Sequence, residues 1–366
     1  MKNFYVHLLD ELKEKKPLIL ATIVETKGST PQVPGASALF SSEGLLEGTL
    51  GGGLLEAGAQ KKALKTLKKK ASLLSEFSLR ADMFSGEGAV CGGEVKILID
   101  ACPEENKDAF QAVSQSLIKR EPGVLATFIN RISEEKLFLS RSWTAKKEKF
   151  EANSGEHLSL FKEEIKRAFS EGKPSFLKVK KEIFPEKAKE TFLFLEPIFP
   201  LPQLVIAGAG HVGQAVAHLG SLLNFEVTVI DDRPEFANKE KLPDADHIIV
   251  DDIGNAIQNF SISSDTYLVI VTRGHKQDAA ALRQCISSEA SYIGMIGSAR
   301  KIKLMRDKFL EERWATSRQF DSVYAPIGID IQSETVEEIA ISIAAQLVLA
   351  RSQTQDKRKD IKWSGP

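Results

Sequence analysis

"LVIAGAGHVGQAVA" spans Leu204–Ala217 and places glycines at 208, 210 and 213. An apolar run precedes the first glycine and a helical pattern follows the last, so the G-x-G-x-x-G spacing lies between a strand and a helix. Glycines there permit a tight turn and close backbone approach, and the first helical amides point toward a phosphate. The next apolar run, "EVTVIDD", reaches Asp231, 23 residues after Gly208. A carboxylate at that place accepts hydrogen bonds from a ribose diol and repels a 2′-phosphate, an exclusion weakened by Arg233 nearby.

Working outward, strand patterns fall at 203–207, 226–231, 247–250, 267–272 and 291–295, with helical patterns between most of them. That alternation predicts a parallel sheet covered by helices, a Rossmann-like doubly wound domain over 200–352. Ligands bind such sheets beyond the carboxyl ends of the strands. Further polar loops should reach the same rim: Thr272, Arg273, Gly274 and His275 after the fourth strand, then Gly297 and Ser298 after the fifth. Pro326, Gly328 and Asp330 precede the last helix. The candidate binding residues here are Gly208, Gly210, His211, Gly213, Asp231, Arg273, His275, Gly297 and Ser298. The last helix opens on Thr335 and Glu338, the spacing of a capping box. Residues 353–366 form a polar tail.

Residues 1–199 read as an α+β domain, with its boundary at the prolines of "EPIFPLP". A helix is expected at 4–15, a strand in "PLILATIVET", and two strands in "SALFSSEGLLEGTL". A helix after Gly53 should turn Leu54, Leu55, Ala59, Ala63 and Leu67 inward. "EFSLR" and "GEVKILID" should pair, and 123–131 and 136–143 should form a hairpin. Gly51, Gly52 and Gly53 feed a helix N-terminus, which suits either an anion-binding nest or tight strand-to-helix packing. Cys91 lies in "GEGAVCGGEV", where surrounding amide dipoles favour the thiolate that binds soft metals or attacks disulfides. Cys102 and Cys285 read as packing residues, and His7, His157, His218 and His247 as ordinary surface histidines.

At 366 residues the chain is long enough for about two domains. Its net charge of −1 supplies no global field toward nucleic acid or membrane. The N-terminus lacks a signal-peptide pattern, and three cysteines make no disulfide framework, so the expectation is a cytoplasmic protein with reduced thiols. Zinc spacings, a G-x-S-x-G elbow and a Walker loop are missing from the sequence.

The order of the longer motifs resembles the XdhC/CoxI family, accessory factors that mature xanthine dehydrogenase and related molybdenum hydroxylases. "KGSTPQVPGASALF", "GTLGGGLLEAG" and "VCGGEVKILID" are similar to that family's N-terminal module. "LVIAGAGHVGQAVA", "VIDDRPEFAN", "VTRGHKQD", "YIGMIGSARK" and "APIGIDIQSETVEEIAISIAAQ" are similar to its Rossmann module. The resemblance implies a homo-oligomeric protein that binds molybdenum cofactor (molybdopterin), protects it during sulfuration with a cysteine desulfurase, and inserts it into an apo-hydroxylase. It also implies that Cys91 touches the molybdenum, with NAD or another nucleotide in the Rossmann module. Leu54 stands where many CoxI-type members have a cysteine, and Val90 precedes Cys91 where some XdhC members have a second one. The residues alone also fit an NAD(P)-dependent oxidoreductase acting on a small carbonyl compound, with His275 or His211 as proton donor.

Overall fold

The computed structural model describes residues 4–14, 16–79, 92–133, 136–145, 158–180 and 188–358. Contacts divide the chain into a unit spanning Lys2–Pro200 and one spanning Leu201–Lys357. Cys91 and His157 lie outside the described residues, as does most of the polar tail.

The first unit holds two antiparallel sheets. One has the order β3-β2-β1-β5-β4, from β1 (Ile19–Lys27), β2 (Ser37–Ser41), β3 (Gly44–Gly48), β4 (Leu73–Ser78) and β5 (Glu94–Asp100). The other has the order β7-β6-β9-β8, from β6 (Gly123–Ser133), β7 (Lys136–Ala145), β8 (Ser175–Val179) and β9 (Glu190–Ile198). Strand alternation sorts the core: Ile19, Ala21 and Ile23 face Leu55, Ala59 and Ala63 of α2 (Gly53–Lys69). Leu20 on the opposite face meets α1 (Phe4–Lys13) and α3 (Lys107–Ile118) through Leu8 and Phe110, alongside Leu125 of β6. The far face of β6 and β9 is covered by α4 (Lys162–Glu171).

One expectation fails here. Leu54 is 60% exposed, because the left-handed Gly52 and Gly53 start the helix at a phase that leaves Leu55 facing inward. The proline-rich stretch near 197 is a strand as well as a boundary. The β8 register ends at Leu195, so Pro197 lies where β6 alone flanks β9, a place that tolerates a missing N–H.

The second unit is a parallel five-stranded sheet of order β12-β11-β10-β13-β14, as the strand–helix alternation requires. Its strands are β10 (Gln203–Ala207), β11 (Glu226–Asp231), β12 (His247–Val250), β13 (Thr266–Ile270) and β14 (Tyr292–Met295). Leu204, Ile206, Val227 and Val229 face α5 (His211–Leu222) and α10 (Val336–Arg358). Val205, Ala207, Leu268 and Ile270 face α6 (Ile253–Asn259), α7 (His275–Cys285) and α8 (Ala299–Glu311). The short α9 (Ser317–Asp321) follows. At the start of α10, Glu338 donates its backbone N–H to Thr335 Oγ1 (3.2 Å) while Thr335 N–H donates to Glu338 Oε2 (3.0 Å), a reciprocal cap.

The two sheets of the first unit are joined by buried polar groups. Arg141 of β7 pairs with Asp100 of β5 at 2.5 Å, and both side chains are almost fully buried. The Tyr5 hydroxyl of α1 donates to Glu196 Oε2 of β9 at 2.6 Å. Burial pushes the Glu196 carboxyl up to about 7, outweighing the opposing Tyr5 hydrogen bond and the Arg141 charge. An acid whose folded pKa is raised costs nothing below its unfolded pKa, and the cost grows as pH rises toward the folded value. Glu196→Gln is therefore expected to stabilise this unit at pH 8 by about 1–2 kcal/mol and to change it little at pH 4. Calorimetric scans at the two pH values check this; equal effects at both would exclude the titration as the cause.

Candidate functional site

In the second unit the crevice opens where the strand order reverses, between the loops that leave β10 and β13. Gly208 has φ +116°, and a Cβ there would lie 2.5 Å from the Val271 carbonyl, so glycine alone fits between the two strand ends. Its N–H donates to the Ile230 carbonyl at 2.8 Å. Gly210 starts α5 in an extended conformation without a side-chain cap, leaving first-turn amides for an external acceptor. His211 and His275 are the exposed first residues of α5 and α7, and so belong to this rim.

Asp231 is not the free carboxylate that its spacing leads one to expect. It is 2% exposed; Oδ2 accepts the Ala209 N–H at 2.7 Å, and Oδ1 accepts the Arg233 N–H at 3.0 Å. The Arg233 guanidinium grips both oxygens at 2.9 Å. Burial opposes ionisation, but the Arg233 side chain and the two amides outweigh it, and the carboxyl is held below the ordinary carboxylate range. Asp231 thus fixes the glycine turn from below, its lone pairs already used.

Its neighbour Asp232 faces the rim, a position that spacing alone did not single out, although the Asp-Asp doublet was visible. Asp232 Oδ2 accepts from Arg273 at 2.8 Å and from Gln277 Nε2 at 3.3 Å. Asp232 Oδ1 and Gln277 Oε1 are buried acceptors without a hydrogen-bond partner among the described residues. Such atoms suit a ligand's hydroxyl donors. Arg273, one of the candidate binding residues, is therefore engaged with Asp232 in this structure. Beside it, fully buried Asp278 accepts from Thr272 Oγ1 (2.7 Å) and Lys301 Nζ (2.5 Å), tying the β13 loop to α8 behind Ser298 and Gly297.

In the first unit, Gly51, Gly52 and Gly53 have φ of +109°, +70° and +57°. Part of this turn is already filled. The Gly51 N–H donates to Thr49 Oγ1 (3.0 Å), while Glu56 Oε2 accepts from the Leu50 N–H (3.0 Å) and from Thr49 Oγ1 (2.8 Å). Burial raises the Glu56 carboxyl, but Thr49 and the Leu50 and Gly52 amides outweigh that and hold it below its ordinary value. The three-glycine nest is thus corrected to a smaller one, the first turn of α2 from Gly53 onward. Sequence pattern gave no sign that Glu56 would turn back into it.

Packing brings the first unit's motifs together. A Cβ on Gly51 would lie 2.7 Å from the Pro31 side chain, and one on Gly93 would lie 2.8 Å from the Lys27 carbonyl and against Ser29 and Thr30. The Leu79 N–H donates to the Gly93 carbonyl at 2.8 Å and the Gly92 N–H to the Leu79 carbonyl at 3.2 Å. The 27–32 loop therefore touches both Gly51 and the glycine pair that follows Cys91. Of the described cysteines, Cys102 is pushed up to about 11 by burial and by Glu104, Glu105 and Asp100. Cys285, fully buried, is pushed up to about 12 by that burial. Both are held as neutral thiols. Among the described residues there is no cluster of three metal-ligating side chains, and no helix is long and apolar enough to cross a membrane.

Comparison with known proteins agrees with this architecture. The family model described as the XdhC Rossmann domain matches residues 204–347, and that of the XdhC and CoxI family matches residues 11–78. A protein of Bacillus subtilis named as a probable subunit of xanthine dehydrogenase is 26% identical over 96% of this chain and 99% of its own length. The uncharacterized protein YqeB of Escherichia coli is 32% identical over 41% of this chain and 28% of its own length. A crystal structure described as a xanthine dehydrogenase from Bacillus halodurans superposes with a TM-score of 0.74 at 26% identity, covering 95% of this chain and 96% of that one.

If Asp231 is a structural pin, Asp231→Ala should destabilise the second unit by about 3 kcal/mol, as removal of one partner from a buried ion pair does. Because the carboxyl is depressed in the fold, its contribution is complete above the unfolded value of about 4 and is lost as pH falls below it. Denaturant titrations at pH 7 and pH 3.5 should show the difference between variant and parent shrinking in acid. Unchanged stability at pH 7 would return Asp231 to a ligand-reading role.

Proposed function

The chain belongs to the XdhC and CoxI family, and from that premise we propose that it binds molybdenum cofactor and inserts it into a xanthine dehydrogenase or related molybdenum hydroxylase. On this reading the protein is a binding and delivery factor serving maturation of the hydroxylase. The observation that supports it most is the convergence in the first unit. The 27–32 loop touches Gly51 at the start of the α2 turn and Gly93, two residues after Cys91.

Molybdenum is a metal for which thiolate is a suitable ligand, and the two described cysteines are held as thiols. Cys91 is accordingly assigned the metal contact. The first-turn amides of α2 from Gly53 onward, and of α5 after Gly210, are assigned to anionic groups of the ligand. If a nucleotide such as NAD occupies the second unit, Asp232 and Gln277 replace Asp231 as acceptors for its ribose hydroxyls. Bound molybdenum cofactor brings the hydroxylase its redox chemistry; this chain holds, orients and releases it.

The test is retention. Chain purified from a host that makes molybdenum cofactor should carry pterin, read by fluorescence after oxidation, together with molybdenum read by elemental mass spectrometry. Cys91→Ser should keep less than a tenth of the metal, whereas Cys102→Ser should keep all of it. Equal retention by the Cys91 variant would refute the thiol contact. Parent chain free of pterin in such a host would refute cofactor binding itself.

A further inference from the structure

A cavity of about 860 Å³ lies between α7 and α8, beside the glycine crevice and sharing His275 and Ser298 with its rim. Its walls follow helical spacing: Lys276, Ala279, Ala280 and Arg283 come from α7, and Arg300, Leu304 and Lys308 from α8. The alanines keep the α7 wall low, and Leu304 stays 63% exposed. At the inner end stands Trp314, edge-to-face on Phe309 with ring centroids 5.3 Å apart. The Arg283 guanidinium lies 4.5 Å from the indole centroid and the Lys308 ammonium 5.5 Å from it.

Arg233, Arg273 and Arg306 each have a carboxylate partner. Lys276, Arg283, Arg300 and Lys308 form no ion pair among the described residues, although all four line one cavity. Exposed Lys303, Arg313 and Arg318 of this unit also form no ion pair among the described residues, but none of them lines the cavity. The nearest buried carboxylate, Asp278, is already taken by Lys301 and Thr272. Four cations on the two facing walls repel one another, and an anion between them relieves that repulsion.

The cavity is also polar along its length. β13 and β14 run parallel and each is followed by its helix, so α7 and α8 both begin at the same end, where Lys276 and Arg300 stand. Ser298 Oγ already accepts the Lys301 N–H of α8 (3.3 Å), but α7 starts without a side-chain cap, and its N-terminus with the two cations favours a phosphate at that end. At the other end, a guanidinium over an indole presents a weakly hydrated planar face beside the apolar Leu304, which suits a flat ring. Lys276 and Arg283 are seven residues apart, about 10 Å along a helix, so the phosphate end and the ring end of the cavity are distinct.

We propose that the α7–α8 cavity binds a phosphorylated heteroaromatic small molecule, its phosphate between Lys276 and Arg300 and its ring against Arg283 and Leu304 above Trp314. Mononucleotides and phosphorylated pterins share this chemistry. The site goes beyond the molybdenum reading and does not require it.

Chain prepared from a host unable to make molybdenum cofactor would be titrated calorimetrically with AMP, 6-hydroxymethylpterin phosphate, adenosine and inorganic phosphate. Saturable binding is expected for at least one phosphorylated ring compound, with its unphosphorylated counterpart and phosphate at least tenfold weaker. The tighter of the two ring compounds identifies the source. The Lys276→Ala/Arg300→Ala double variant should weaken that binding tenfold or more and make it less sensitive to salt. Lys303→Ala, an exposed α8 change outside the cavity, should leave it unchanged. Trp314→Phe should weaken it while the fold stays intact by circular dichroism. No saturable binding, binding indifferent to the double variant, or phosphate binding as tightly as the ring compounds would overturn the proposal. Loss of molybdenum retention in Cys91→Ser bears on the delivery role alone, so the two readings fail separately.

Discussion

Asp231 is 2% exposed, and an ionised carboxylate so placed persists only if its oxygens are satisfied. The Arg233 side chain and two backbone amides do this, one of those amides being Ala209 in the middle of the glycine turn. The turn between β10 and α5 is thereby tied to the end of β11, and the crevice inherits its shape from that tie. Glu56 does comparable work in the first unit, accepting the Leu50 N–H at the entrance to α2. In both units a glycine turn is organised around a carboxylate of the chain itself, so an external anion meets a turn that is already formed.

Most of the Rossmann architecture was legible in the sequence because its central strands are apolar on both faces and alternate with helical patterns. Leu204 and Ile206 serve one layer while Val205 and Ala207 serve the other, a pattern that a buried parallel strand must show. The cap at Thr335 and Glu338 was legible for the same reason: its partners are local. The role of Asp231 was not. Spacing locates a carboxylate at the strand end, but whether it faces a ligand or its own Arg233 depends on side-chain geometry two residues on. Asp232, next in the chain, points to the other outcome.

The first unit was harder to read. Its motifs are separated by long stretches of sequence, and only packing shows that Pro31 meets Gly51 while Ser29 meets Gly93. Leu54 was misassigned because an apolar residue in an amphipathic helix is expected inward, whereas three successive positive-φ glycines set the phase instead. β9 was obscured by Pro197, which is admissible because β8 stops pairing before it.

The contact between Tyr5 and Glu196 joins the first helix of the Lys2–Pro200 unit to its last strand. A unit whose two ends meet in this way closes on itself and can be carried as a cassette, since joining it to another fold requires only one connecting segment. The arrangement gives a physical reason why some 200 residues can stand ahead of a nucleotide-binding fold that more commonly opens a chain. Each unit buries a core of its own, so a substitution inside one core leaves the packing of the other unchanged.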